Sequence, residues 1–247
     1  MSVIEEPPVS VSALLSDPVT VLSLGLTVVL LIAAYTISLV SLAPTTTAKI
    51  RTIFIWHLFD VLVHFILEGS FVYHSLFSFA TPEQLELQPP HIQSLPYRVA
   101  GALFSDAPMA KVWQVYAKAD LRWGVGEPNI VSMELLTVVG AGSIAALAVY
   151  MIARDEKMGV KAGEASGRKK WFWMVVLATG ELYGGFMTFV PEWIVGSPSL
   201  VTSNWVYKWL YLFFFNTLWV CFPGWILYEG YCELLKDGGR AVEKKKA

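Results

Sequence analysis

Residues 52–72 read TIFIWHLFDVLVHFILEGSFV, an apolar run long enough to cross a membrane as one helix. Four ionisable residues interrupt the run at spacings of three, four and four, namely His57, Asp60, His64 and Glu68. At 100° per residue, they fall within an arc of about 80°. Each would cost roughly 2–3 kcal/mol at the bilayer centre if it faced lipid. We therefore expect this polar stripe to face a protein interior or a cavity and to mark a functional site.

The composition of the whole chain is that of an integral membrane protein. Of its 247 residues, 55% are hydrophobic and 15% are charged, whereas a soluble domain usually carries about 25% charged residues. Windows of about 19 residues predict five membrane spans, at residues 19–43, 52–75, 131–153, 171–190 and 207–228. The predicted fold is an all-α membrane protein, a bundle of five transmembrane helices with a lumenal cap segment between helices 2 and 3.

The distribution of lysine and arginine predicts how the chain is oriented. Thirteen of the 18 basic residues lie after spans one and three and in the tail, and the positive-inside rule places that side in the cytosol. The N-terminus then faces the lumen. The predicted organisation is a lumenal segment at residues 1–18, a five-span membrane domain at 19–230 and a cytosolic basic tail at 231–247.

The chain ends in Lys244-Lys245-Lys246-Ala247. Lysines three and four places from a cytosolic C-terminus match a retrieval signal for the endoplasmic reticulum, an address that a receptor reads. The alternative is a solvated basic tail that only helps orientation. We expect a multi-pass protein of the endoplasmic reticulum membrane.

Several partners and cofactors are not indicated. No basic face suited to nucleic acid is visible, so we expect no nucleic-acid binding. The two cysteines, Cys221 and Cys232, indicate neither a disulfide framework nor a zinc site. His64 and Glu68 have the i, i+4 spacing of zinc ligands, but two ligands make an incomplete site. We predict no metal and no cofactor.

The one long connection, residues 76–130, begins with a stretch rich in proline and glutamine and continues into a more helical part. That part mixes aromatic with charged residues, a pattern typical of a membrane–water interface. The residues concerned are Trp113, Tyr116, Lys118, Asp120, Arg122 and Trp123.

Polar residues in the other spans suggest acid–base chemistry in an apolar cavity. A desolvated glutamic acid holds its proton at neutral pH and can act as a general acid, and aromatic faces stabilise a cation. Together these groups fit protonation and deprotonation of an alkene through a carbocation. The candidates outside the second span are Glu134, Thr137, Glu181, Tyr183, Asn216 and Trp219.

Five short motifs occur in a recognisable order. They are HFILEGSF at 64–71, WQVYAKADLRW at 113–123, MELLT at 133–137, ELYG at 181–184 and NTLW at 216–219. Together they make the chain resemble the emopamil-binding proteins, the sterol Δ8–Δ7 isomerases of the EXPERA group, over roughly residues 52–228.

The resemblance implies a five-helix bundle of the endoplasmic reticulum with a sterol-shaped cavity and a cofactor-free shift of a ring double bond. It implies that His64, Glu68 and Glu134 carry the proton transfers, with the donor and the acceptor carboxyl left open. Thr137 would support Glu134. The pocket would be lined by further predicted substrate-binding residues, namely Tyr183, Glu181, Asn216 and Trp219.

Some residues depart from that family pattern. Glu181 stands where the family usually has glutamine, which adds a third acid. His57 and Asp60 are not family signatures, and we interpret them either as a polar network that supports His64 or as an interface feature without a chemical role.

Three functions stay open at this point. The first is a sterol Δ8–Δ7 isomerase of sterol biosynthesis. The second is a related isomerase or cyclase that acts on a non-sterol terpenoid, and the third is a non-catalytic carrier that binds a sterol or another ligand. The expected partner is a sterol or sterol-like lipid, and a homodimer is an assembly to be tested.

Overall fold

The computed structural model describes residues 12, 16–160 and 165–235. Its main elements are six helices, α1 (Pro18–Ser41), α2 (Ala48–Phe77), α3 (Pro108–Ala117), α4 (Pro128–Met158), α5 (Ser166–Ile194) and α6 (Tyr207–Leu235). All except α3 are long and apolar enough to cross a membrane. This confirms the prediction of an all-α, multi-pass membrane protein with five spans. Most of the predicted tail, from residue 236 onward, lies outside the described residues.

Helix ends follow from local sequence. Before α2, the Thr47 side chain accepts a hydrogen bond from the Ile50 N–H and caps the helix. At the end of α4, Gly159 has a φ of 65° and a left-handed backbone. Glycine adopts that conformation without a side-chain clash, which is why it ends many helices.

Three of the spanning helices contain a π-helical segment, at Val63–Glu68 in α2, Thr137–Ala141 in α4 and Tyr207–Phe215 in α6. A π segment hydrogen-bonds from i to i+5, so it adds a residue to the turn, and such segments are frequent at functional sites. The prediction of a single stripe assumed uniform α-helical spacing. That assumption fails between His64 and Glu68 because both residues lie in the first π segment.

The described part of the chain divides into two compact units. The first unit takes in the described residues up to Thr27 together with Leu67–Glu134 and Thr188–Thr217. Its core packs α3 and its flanks against the start of α6, through Val115, Ala119, Val206, Tyr207, Tyr211 and Leu212. No strand is present among the described residues, although Phe79 and Ala100 form an isolated β-bridge within this unit.

The second unit contains Val28–Ile66, Leu135–Met187 and the rest of α6. Its core joins the first half of α2 with the second half of α4, α5 and α6, through Leu42, Ile53, Phe54, Ala148, Ile152, Trp171, Met174, Ala178 and Ile226. Gly142 of α4 lies close to α2, since a Cβ atom there would be 3.3 Å from His64 Cβ and 3.1 Å from the Phe65 ring. Absence of a side chain at Gly142 therefore lets α4 approach the backbone that carries His64.

Candidate active site

The second unit holds a buried pair of titratable side chains on α2. Asp60 is 0% and His64 is 1% exposed, and His64 Nε2 lies 3.0 Å from Asp60 Oδ1. The pair forms because residues four apart meet on one helix face. Its position at the start of the π segment Val63–Glu68 places it where α-helical hydrogen bonding changes.

The same carboxylate oxygen receives a second donor from α6. Trp219 Nε1 donates a hydrogen bond of 3.0 Å to Asp60 Oδ1. The Trp219 ring meets the Trp56 ring edge to face, with centroids 5.4 Å apart, and Trp56 in turn stacks on Phe222 at 4.2 Å. Aromatic rings thus surround one side of the Asp60–His64 pair.

Glu181 of α5 completes this group. One side-chain ligand atom from each of Asp60, His64 and Glu181 lies within 4.8 Å of the others, and all three residues are buried. His57 is also fully buried, and neither of its ring nitrogens has a hydrogen-bond partner among the described residues. We call Asp60, His64 and Glu181 the acid–imidazole cluster. One nitrogen and two carboxyl groups can transfer protons, and they also match the donors that zinc or a similar divalent ion accepts.

Asp60 therefore lies at the centre of the site, although it is not a family signature. Of the two interpretations offered for it, the structure favours a polar network that supports His64. Sequence spacing placed Asp60 and His64 on one face, but the convergence of Glu181 and Trp219 on Asp60 depends on tertiary packing.

Asn216 lies in the first unit, directly after the π segment of α6. Its amide nitrogen has three acceptors, with Tyr116 Oη at 3.1 Å, the Tyr211 carbonyl at 3.0 Å and the Leu212 carbonyl at 2.9 Å. Because helical carbonyls lose their regular partners next to a π segment, the amide satisfies two of them. The contact with Tyr116 orients Asn216 relative to α3.

Tyr116 also links Asn216 to Glu134. Burial raises the pKa of the Tyr116 phenol, and the charges of the Asp120 and Glu134 carboxyl groups raise it further. The phenol thus stays neutral and accepts the Asn216 hydrogen bond. Glu134 is itself buried, so the first unit brings two of the predicted site residues to Tyr116.

Three other predicted site residues are partly exposed. Glu68 in the first unit and Thr137 in the second are half-buried. Tyr183 is 65% exposed on α5 and is not part of the acid–imidazole cluster. The predicted roles of these residues stay predictions.

The structure adds burial to the interpretation of the segment around α3. Trp113, Trp123, Asp120 and Arg122 are buried, which their composition did not predict. The Trp113 and Trp123 rings stack at 5.1 Å, and Trp113 Nε1 donates to Ser70 Oγ at 2.9 Å. Charged residues are accommodated here because they pair with each other, a relationship that composition does not reveal.

That pairing is bidentate. Arg122 Nε and Nη2 donate to the two oxygens of Asp120 at 2.9 and 2.7 Å. Burial nonetheless raises the pKa of Asp120, because desolvation outweighs the nearby guanidinium. For Arg122, burial opposes the charged form, but the hydrogen bonds and charge of Asp120 prevail and raise its pKa.

Comparison with known protein families agrees with the resemblance that the sequence motifs suggested. Residues 108–230 match the family model EBP, described as EXPERA, the expanded EBP superfamily. The chain belongs to the EXPERA family. The match includes α3, Glu134, Glu181 and the Asn216–Trp219 motif.

Individual relatives of this EXPERA chain are distant. Over 174 residues it is 24% identical to a 3-beta-hydroxysteroid-Delta(8),Delta(7)-isomerase of Cavia porcellus, covering 70% of this chain and 61% of the relative. A probable isomerase of the same name from Oryza sativa subsp. japonica is 28% identical over 174 residues, covering 70% and 63%. Protoglabretal synthase of Citrus sinensis is 21% identical over 193 residues, covering 76% and 74%. The chain thus spans less than two thirds of the first two relatives.

Proposed function

We propose that this EXPERA protein is an intramolecular isomerase that shifts a ring double bond of a sterol from Δ8 to Δ7. The observation that carries the proposal is the acid–imidazole cluster, in which His64 is buried beside two carboxyl groups within a membrane span. Burying an ionisable cluster in a membrane span costs free energy, so its presence there indicates a function. The names of the Cavia and Oryza relatives supply the reaction and the substrate class.

The reaction needs only proton transfers. An acid protonates one alkene carbon, the adjacent tertiary carbon becomes a carbocation, and a proton leaves from a neighbouring carbon as its C–H electron pair forms the new double bond. Substrate and product have the same composition, so the balance requires no cofactor. His64, Glu68 and Glu134 are the residues that we assign to these transfers, because they supply the acid and base groups of the family motifs.

The carbocation also needs stabilisation without a nucleophile that would trap it. Aromatic faces provide this through cation–π attraction, worth about 2 kcal/mol or more in a desolvated site. We assign this role to Trp219, whose indole N–H is held by Asp60. Asn216, held by Tyr116, would orient the substrate, with Thr137 supporting Glu134 and with Tyr183 and Glu181 as further candidates for substrate contact.

The test is expression in a yeast strain that lacks its own Δ8–Δ7 isomerase, with sterols measured by mass spectrometry. We expect the wild-type chain to restore Δ7 sterols and Glu134→Gln to lose most of that activity, since the amide cannot exchange a proton. Immunoblots of the membrane fraction control for protein level. Continued accumulation of Δ8 sterols at a normal protein level would contradict the proposal.

A second candidate is an isomerase or cyclase that uses the same proton chemistry on a non-sterol terpenoid. It is favoured by the match to protoglabretal synthase, which covers more of the relative than the sterol isomerase matches do. The extra carboxyl group of Glu181 in the cluster is consistent with a changed substrate. Absence of sterol rescue, together with loss of another product when the native gene is deleted, would support this candidate.

A non-catalytic carrier is the third candidate, and it predicts ligand binding without turnover. Purified protein incubated with a Δ8 sterol separates the two cases, because a carrier returns the sterol unchanged. In that case Glu134→Gln would bind the ligand as well as the wild type does.

We also propose that the protein resides in the endoplasmic reticulum, with residues 1–18 lumenal, 19–230 in the membrane domain and 231–247 cytosolic. The distribution of basic residues supports this orientation. Glycosylation acceptor sites added at each terminus test it, since only a lumenal terminus is modified. Cross-linking in native membranes tests for a homodimer.

A further inference from the structure

Two members of the acid–imidazole cluster have no proton-transfer role in the proposed isomerisation. Asp60 and Glu181 come from α2 and α5, lie within 4.8 Å of each other and of His64, and are buried. Two carboxyl groups at this separation in an apolar span need a compensating proton or cation.

The contacts of Asp60 indicate that it is the ionised member. Its Oδ1 receives the Trp219 N–H at 3.0 Å and lies 3.0 Å from His64 Nε2. An indole N–H donor and an imidazole nitrogen this close to one oxygen favour a carboxylate over a neutral acid.

The position of Glu181 indicates that it carries a proton. A second carboxylate beside ionised Asp60 would add like-charge repulsion where no solvent screens it, and paired carboxyl groups avoid this by sharing one proton. Fully buried His57 also faces Asp60. Its ring nitrogens have no hydrogen-bond partner in the described part of the chain, so His57 gives neither carboxyl group a hydrogen bond.

We infer that Asp60 and Glu181 share one proton, which resides mainly on Glu181, and that Asp60 is a positioning residue for His64. The second statement rests on the proposed isomerase function, whereas the first does not. Asp60 fixes the side of the imidazole that carries Nε2, because its Oδ1 lies 3.0 Å from that nitrogen. When His64 takes a proton, the Asp60 carboxylate compensates the new positive charge, as the acid does in Ser-His-Asp triads.

A divalent metal ion is the competing way to compensate two carboxylates and an imidazole. Ligand atoms of one ion would also lie about 3 Å apart, so the metal content of the protein separates the two cases.

The test for the shared proton is infrared spectroscopy of the purified full-length protein in lipid nanodiscs, without substrate. We expect protonated-carboxyl C=O absorption that shifts in D2O and loses one component in Glu181→Gln, while any component from Glu68 or Glu134 stays. Asp106→Asn is the matched control and should keep the whole absorption, because Asp106 is exposed and paired with Lys111. Unchanged absorption in Glu181→Gln, or no protonated-carboxyl absorption in the wild type, would overturn the inference.

Elemental analysis of the same samples tests the competitor. We expect no stoichiometric zinc, iron or manganese. About one metal ion per chain in the wild type and none in Glu181→Gln would also overturn the inference.

The role of Asp60 is tested by kinetics. Asp60→Asn should lower kcat by about 100-fold with little change in KM, because the imidazole loses its orientation and charge compensation and not its substrate contacts. Unchanged kcat would refute the positioning role. Thermal unfolding of each variant identifies any that fail to fold, and the infrared result stands even if the isomerase assay fails.

Discussion

The indole N–H of Trp219 donates to Oδ1 of Asp60, across 159 residues of sequence and between α6 and α2. This bond fixes both the carboxylate that contacts His64 and the orientation of the Trp219 ring. It therefore couples the proposed base to the aromatic face that we assign to carbocation stabilisation.

The Trp219–Asp60 bond can be removed with little loss of aromatic surface. Trp219→Phe should lower the free energy of unfolding by about 1.5–3 kcal/mol, the usual contribution of a hydrogen bond to a charged group, and should reduce turnover. Trp225→Phe is the control, because it removes an indole bond to Glu229 at 3.2 Å outside the acid–imidazole cluster. Equal turnover in the two variants would argue against a role for this bond in the site.

Gly142 offers a direct test of packing next to His64. Gly142→Val should destabilise the fold by about 1–3 kcal/mol and lower turnover, because its side chain would force α4 away from His64 and Phe65. Gly140→Ala lies two residues earlier, in the π segment Thr137–Ala141. It has no atom within 4 Å of its added Cβ and should be neutral or slightly stabilising. Unfolding in detergent compares them, and equal effects would show that close approach at Gly142 is unimportant.

Tyr116→Phe tests the link between α3 and Asn216. The ring stays, but the Asn216 amide loses an acceptor at 3.1 Å, so we expect a loss of about 1 kcal/mol in the free energy of unfolding. Turnover should fall as well, because Asn216 is no longer oriented. Tyr97→Phe is the control at a tyrosine that is 43% exposed, and turnover there should match the wild type.

The Asp120–Arg122 pair should contribute far more than the exposed pair on the same connection. Arg122→Met leaves a buried carboxylate and should cost about 3–5 kcal/mol. Lys111→Met breaks a pair with fully exposed Asp106 and should change stability little, because solvent screens an exposed ion pair. Thermal and denaturant unfolding measure both, and similar losses would contradict the assigned burial.

The same variant has a predicted pH dependence. Burial raises the folded-state pKa of Asp120 above its unfolded value, so the folded state binds the proton more tightly and stability is lost as pH rises through that pKa. Without Arg122 the folded pKa should rise further. The stability lost in Arg122→Met should therefore become smaller as pH falls toward the unfolded-state pKa of Asp120. A loss that grows on acidification would contradict this assignment.

Hydropathy alone predicted the five spans, since a helix that crosses lipid must be apolar over a set length. The i, i+4 spacing likewise predicted that Asp60 and His64 meet. The partners of Asp60 could not be predicted because Trp219 and Glu181 reach it through packing between distant helices. The burial of Trp113 and Arg122 was also missed, because aromatic and charged residues in alternation suit a membrane surface as well as a paired interior.

The π segment Val63–Glu68 has a consequence for how insertions and deletions act on this chain. Its turn contains one residue more than an α-helical turn, so removing a single residue there would restore regular helix instead of breaking it. The helix on either side would then keep its phase, because the residue that is lost is the extra one of the π turn. A deletion in the regular turns of α2 has no extra residue to remove and would instead rotate the helix after it by about 100°. The π turn is therefore the place where α2 can lose one residue with the least disturbance.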